Sequence, residues 1–265
     1  MFAGARRFAV VLSFAGPAVA GAQGFEYAPG TAQYRVLQNS KAAQEVMGQK
    51  QEIESQSTQL VTVKLTRAAK DTVAMNITLD TIYASNNMGM PTNAVDKFNG
   101  MKVAAKISPT GTFYSALGPD EKTLPNSSDM TNAMGTFLPR LRATLQRGAT
   151  WTDTTTGKVS QGGMEIDRKT VSHFTVEGDT TVASVKAWKI VRRDSTTMTG
   201  SGNSPNGPMT MEGTTKGLGS IFVSPTGQFI GVDASEDASL KIVLSANGME
   251  IGVTQSATTK VEKVK

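Results

Sequence analysis

From Val73 to Asp80 the side chains alternate in character. Val73, Met75, Ile77 and Leu79 fall on one side of an extended chain, and Ala74, Asn76, Thr78 and Asp80 on the other. A period of two over this length predicts a strand with one buried and one wet face. The same pattern returns at Val61, Val63 and Leu65, at Ser172, Phe174 and Val176, at Ala183, Val185 and Ala187, and from Met249 to Val253. Asn99-Gly100, Gly178-Asp179 and Asn247-Gly248 punctuate these runs, and the last, set between two alternating runs, is a strong hairpin signal. Residues 38–59 contain good helix formers, but Gly48 interrupts them and their apolar positions form no helical stripe. We read two strands turning near Gly48, with a helix as the alternative. One helix is expected near 128–138, where Ser127 or Ser128 can cap it, Asp129 favours its positive end and Pro139 stops it. A second short helix is expected within Thr92–Phe98. The stretch MTGSGNSPNGPMT, residues 198–210, reads as a flexible excursion.

Ser-Pro-Thr-Gly occurs twice, at 108–111 and 224–227. Each copy follows a branched apolar residue and precedes a Phe by two positions. Ser first, Pro next with its preset φ and Gly last suit a type I turn closed by a left-handed glycine, which makes a three-residue hairpin loop. The two flanks keep a constant offset. The expected architecture is therefore mainly β: two similar antiparallel β halves, 23–148 and 149–265, forming a curved sheet, an open barrel or a sandwich, with one or two short helices.

The first 22 residues read as a signal peptide. Arg6 and Arg7 precede a short apolar run from Phe8, and Ala18-Val19-Ala20 and Ala20-Gly21-Ala22 are small-x-small cleavage sites. Fifteen residues interrupted by Pro17 are too few for a membrane helix, and no second long apolar run follows. The expected destination is the periplasm or the extracellular space. Of 27 basic residues and 22 acidic ones, cleavage removes two arginines, so the mature charge is mildly positive. That balance, with export, argues against a nucleic-acid partner. No cysteine is present, which removes disulfides, thiolate metal sites and cysteine nucleophiles together.

The remaining chemistry is sparse. His173 is the only histidine, and it alternates out of phase with Phe174, so a solvated strand position is the expected reading. No Gly-x-Ser-x-Gly elbow, His-Glu-x-x-His, Walker loop or EF-hand loop occurs, and no cofactor or metal is expected. Carboxylates pair at Asp120-Glu121, Glu165 with Asp167, Glu177 with Asp179, and Asp233 with Glu236-Asp237. Such pairs can serve glycoside hydrolysis, and DASEDAS is the best calcium candidate. Basic residues gather at Arg140, Arg142 and Arg147, and from Lys186 to Arg193, as a candidate anionic contact or a solvated edge strand. Thioethers at Met88, Met90, Met101, Met209 and Met211 could in principle hold copper(I). With one histidine to help, an adaptable apolar core or groove is the better reading. These five methionines and Trp188 are the candidate ligand-binding residues.

The segment LPRLRATLQRGATW between two β-rich halves, with GTTKGLGSIFVSPTGQFIGV in the second, resembles a family of exported bacterial β-rich proteins of unknown function. The likeness covers most of the mature chain, but its motifs are turns and a Gly-x-x-Trp, and it brings no catalytic residues. By architecture alone the chain is also similar to open-barrel lipoprotein carriers of bacterial envelopes. The function expected is a non-catalytic binding or carrier module of the bacterial envelope, whose partner is an apolar small molecule or an envelope component. The alternatives are a structural or protein-interaction β module without ligand, and a carboxylate-dependent hydrolase.

Overall fold

The computed structural model of the chain describes residues 24–46, 48–89, 96, 98–117, 138–161, 163–204, 207–245 and 248–264. The expected signal peptide, Met90 and the expected helix near 128–138, save Leu138, lie outside the described residues. Eleven strands form one antiparallel sheet that is not closed. They are β1 (Gly30–Val46), β2 (Gln49–Ala69), β3 (Thr72–Asn86), β4 (Lys102–Ile107), β5 (Phe113–Leu117), β6 (Thr150–Gln161), β7 (Met164–Val182), β8 (Val185–Ser204), β9 (Gly207–Val223), β10 (Phe229–Leu244) and β11 (Met249–Lys263). Their order is β5-β4-β3-β2-β1-β11-β10-β9-β8-β7-β6. The last strand returns beside the first, from Tyr34 opposite Lys263 to Val46 opposite Ile251. Residues 23–148 and 149–265 therefore contribute to one continuous sheet, not to two packed ones. Among the described residues there is no α-helix; Asp96 and Phe98 lie in a short 3₁₀ turn.

Residues 38–59 form the two long strands of the β1–β2 hairpin, and Gly48 turns between them at φ +76°. Two local expectations are corrected. Residues 198–210 are no excursion, because Ser204 pairs with Gly207 and both arms continue as β8 and β9. Gly178-Asp179 does not end a strand. It lies inside β7 at a bulge opposite Lys189, and the turn comes at Ala183-Ser184, both with positive φ. The bulge absorbs the glycine because β8 pairs with β7 on both sides of it.

The two Ser-Pro-Thr-Gly turns share their hydrogen bonds. The Ser108 N–H donates to Thr112 O at 2.7 Å, and the Ser224 N–H to Gln228 O at 2.7 Å. Each serine Oγ accepts from the backbone N–H four residues on, at 2.8 and 2.9 Å. Each glycine is left-handed, at φ +92° and +84°. The flanking bulges match too: Phe113 faces Ile107 as Phe229 faces Val223.

These turns also reveal the curvature. Tyr27 donates its backbone N–H to Pro109 O at 2.7 Å, and Ala28 donates its own to Gly227 O at 2.9 Å. Pro109 belongs to the β4–β5 turn and Gly227 to the β9–β10 turn. Between β4 and β10 lie five strand spacings, about 24 Å across a flat sheet. Two consecutive residues, with Cα atoms about 3.8 Å apart, bridge that span, so the sheet curls strongly around residues 24–28. The segment 138–149 joins them on the concave side. Leu141 donates its N–H to Thr110 O at 2.8 Å, and Leu138, Leu141 and Leu145 are buried with Phe25 and Tyr27. The core is thus a plug at one end of the sheet, here called the base. It packs on Val36, Val61, Met75, Ile107, Ile190, Ile221 and Val261. Trp151 stacks on Phe174, with ring centres 4.8 Å apart and planes 6° apart.

Two tyrosines in this plug set an alkaline limit. Tyr27 is fully buried and donates its hydroxyl to Pro139 O at 2.7 Å; Tyr34 donates to Phe229 O at 3.0 Å. Burial raises the pKa of both above the ordinary tyrosine value. A raised folded-state pKa gives stability that is complete below the unfolded pKa and is lost as pH rises. Above about pH 10 the unfolded state has released protons that the folded state keeps, so stability should fall by about 1.4 kcal/mol per pH unit for each tyrosine. Urea unfolding between pH 9 and 12 checks this, and Tyr34→Phe should roughly halve the slope.

Candidate functional site

Residues directly opposite one another in an antiparallel ladder share a face. Following the registers outward from the core therefore traces the whole concave face. It divides into three bands along the strands. The base band is the plug just described.

The middle band is polar. One row runs Asp153, Ser172, Asp194, Gly217 and Glu236 across β6 to β10. The row below places Arg192 opposite Phe174, and the row above holds Thr170, Thr196 and Thr215. Arg140, from the segment after Leu138, donates from Nη1 to Asp153 Oδ1 at 2.9 Å. Arg192 Nε lies 2.9 Å from Asp194 Oδ2, but it does not point along that line as a hydrogen bond. The hydroxyls of Thr170 and Thr196 bond at 2.8 Å. Gly213, Gly217 and Gly219 run up β9 on this face. A Cβ at Gly217 would stand 3.3 Å from Asp194 Cβ, and one at Gly219 would stand 3.4 Å from Ala234 Cβ. Missing side chains let β8, β9 and β10 coil tightly here.

The upper band, toward the rim, is mainly apolar, with Arg168, Gln44, Gln51 and Gln255 on the same face. Ile166, Met209, Met211 and Leu244 are buried, and Met164, Met198, Leu240, Ile242, Ile251, Val253, Ala42 and Ile53 are half-buried. The opposite face at the same height is charged and wet. Lys41 pairs with Glu52 and Glu54, Lys50 with Glu52, and Lys241 with Glu250, at 2.7 to 3.3 Å. Substantial contacts between strands are those of sheet neighbours, apart from a few between β7 and β9. Among the described strands, none packs face to face on the upper band. On the opposite face a small depression of about 140 Å³ lies over Gly252, among Ala43, Glu45, Lys50, Ser239 and Thr254. A larger one, about 350 Å³, lies on β6–β8 and is lined by polar side chains such as Thr156, Lys158, Lys169 and Thr197.

The candidate residues scatter. Met209 and Met211 join the upper band. Met88 and Met101 are exposed, at 57% and 38%; they flank the β3–β4 connection, five strands away from β9. Trp188 is half-buried against the base plug. Met209 and Met211 thus stand apart from Met88 and Met101, and Met90 lies outside the described residues. His173 is exposed on the convex face, and its Nδ1 lies 2.9 Å from Thr152 Oγ1. The basic run from Lys186 to Arg193 is no edge strand, since it is paired with β7 throughout and with β9 from Trp188 on.

The carboxylates of DASEDAS cannot converge on one ion, because the segment is strand and Glu236 faces the opposite way from Asp233 and Asp237. Among the described residues no group of three or more His, Asp or Glu is placed to hold a metal. Two carboxylates that do face one cleft, Asp153 and Asp194, stand two strands apart, about 10 Å. Nothing in their local sequence marks them. Their signal is their phase with Trp151 and Ile190, which becomes visible once the register is known.

No protein-family model and no curated protein matches the chain. Solved structures offer distant likenesses. Pseudomonas aeruginosa OccK2 (OpdF) is 10% identical with a TM-score of 0.32, over 89% of this chain and 98% of that one. The hypothetical lipoprotein YmcC from Escherichia coli is 12% identical with a TM-score of 0.26, over 88% of each. A mutant of the Rh. blastica porin is 8% identical with a TM-score of 0.28, over 87% of this chain and all of that one.

Proposed function

We propose that this chain is an exported, non-catalytic binding module of the bacterial envelope that holds an apolar or amphiphilic molecule against the upper concave band. The supporting observation is that band itself. Leu240, Ile242, Ile251 and Val253 form a contiguous half-buried apolar surface on the inner side of a curled sheet, bordered by Gln44 and Gln255, with no described strand over it. An apolar sheet face needs a cover, and ligand surfaces are mostly apolar with a few polar anchors. The polar band beneath it supplies such anchors for the polar end of an amphiphile. Catalysis by Asp153 and Asp194 has less support, because each carboxylate already lies beside an arginine.

The protein purified from its native envelope should release an enriched amphiphile into organic solvent, identified by mass spectrometry. Adding that molecule back should raise thermal stability, by about 2.7 kcal/mol at a hundredfold excess over its Kd. Ile242→Asp should abolish the stabilisation, since it places a carboxylate in the apolar band. An empty extract, together with no shift on adding a lysophospholipid or a fatty acid, would leave the structural or interaction module as the better reading.

A further inference from the structure

We infer that the free edge of β6 is a self-association site, at which two copies of the chain pair β6 to β6, antiparallel, about a two-fold axis at Thr155. β6 ends the sheet, and its twelve residues pair with β7 without a bulge. Its outer backbone N–H and C=O groups have no strand partner among the described residues. Sheets usually protect such an edge with proline, a bulge, a short strand or an exposed charge. The opposite edge, β5, is only five residues long. β6 has no proline, and four of its residues between Thr150 and Thr156 besides these two are Thr or Trp. It carries two charges: Asp153 is paired with Arg140 at 2.9 Å, and Lys158, exposed near the far end of the strand, lies 3.6 Å from Asp167.

The occupant follows from symmetry. A two-fold axis perpendicular to the sheet keeps both concave faces on one side only if each residue meets one of the same phase. With Thr155 on the axis, Thr154 meets Thr156, Asp153 meets Gly157 and Thr152 meets Lys158. No like charges oppose one another, and Thr–Thr pairs are favourable cross-strand neighbours. Such an isologous pairing is the commonest route to a dimer, and it runs the two concave faces together into one continuous trough.

Sedimentation velocity on the intact mature chain should show a dimer. Thr155 is exposed, so Thr155→Lys and Thr155→Glu should keep the circular dichroism spectrum of the parent. Each alone should be monomeric, because like charges then meet at the axis. An equal mixture of the two should restore the dimer. The chain has no cysteine, so Thr155→Cys alone should give a covalent dimer on oxidation. A monomeric parent at all concentrations, dimers that persist in the Lys variant, or a mixture that stays monomeric would each overturn the inference.

Discussion

Replacing Tyr27 by alanine should lower stability by about 3–5 kcal/mol, the cost of emptying a large aromatic site in a packed core. Tyr27 has no exposed surface, and its ring meets Phe25 edge-on at 5.1 Å. Its hydroxyl holds Pro139 O, on the segment that leads into β6. Its backbone holds the β4–β5 turn. One residue therefore ties the chain's first described segment to the middle of the chain and to the sheet. Tyr27→Phe isolates the hydroxyl: it keeps the ring but leaves a buried carbonyl without its donor, and should cost about 1–3 kcal/mol. Urea unfolding of the two variants checks both figures. A Tyr27→Ala protein within about 1 kcal/mol of the parent would mean that the plug does not hold the curled sheet.

Gly227→Ala should cost about 3 kcal/mol, although it adds a single methyl group. Gly227 is left-handed, which costs an L-residue about 1–2 kcal/mol. A Cβ there would also lie 1.9 Å from Glu26 O and 3.0 Å from the Ala28 nitrogen. Both are backbone atoms and cannot swing aside. The clasp must open, and the Ala28–Gly227 hydrogen bond, worth about 1 kcal/mol net, is lost with it. For a chain of this size the thermal midpoint should drop by roughly 6–12 °C. Gly48→Ala is the control. Gly48 is also left-handed, but nothing stands within 4 Å of its Cβ position, so only the conformational cost remains. Equal losses at the two glycines would show that the clash is relieved and that the turn does not grip residues 26–28 tightly.

The clasp matters for the proposed function because it sets the curvature. A flat eleven-strand sheet would expose the upper apolar band as a plane. The curl, fixed at the base by Tyr27, Ala28 and the two turns, makes it a trough. Variants that loosen the plug should therefore weaken ligand retention without touching the band itself.

Local patterns determined much of this. Alternation identifies a strand because the side-chain period of two is a property of a single extended segment. Ser-Pro-Thr-Gly identifies its hairpins because proline, a serine Oγ and a left-handed glycine act within five residues. Gly48 turns β1 into β2 for the same reason. The tertiary structure decided the rest, and each case is a long-range one. Nothing near Gly178 says that β8 will pair past it on both sides and turn a break into a bulge. Nothing near Val253 says that β11 will return beside β1 and join the two halves. Methionine pattern alone cannot separate Met211, which faces the inside of the curl, from Met88, which is exposed just beyond the end of β3. Phe25 and Tyr27 form too short a run to announce a core plug. They become one only because two turns, 116 residues apart in sequence, are brought by the sheet's coiling to the same few ångströms of backbone.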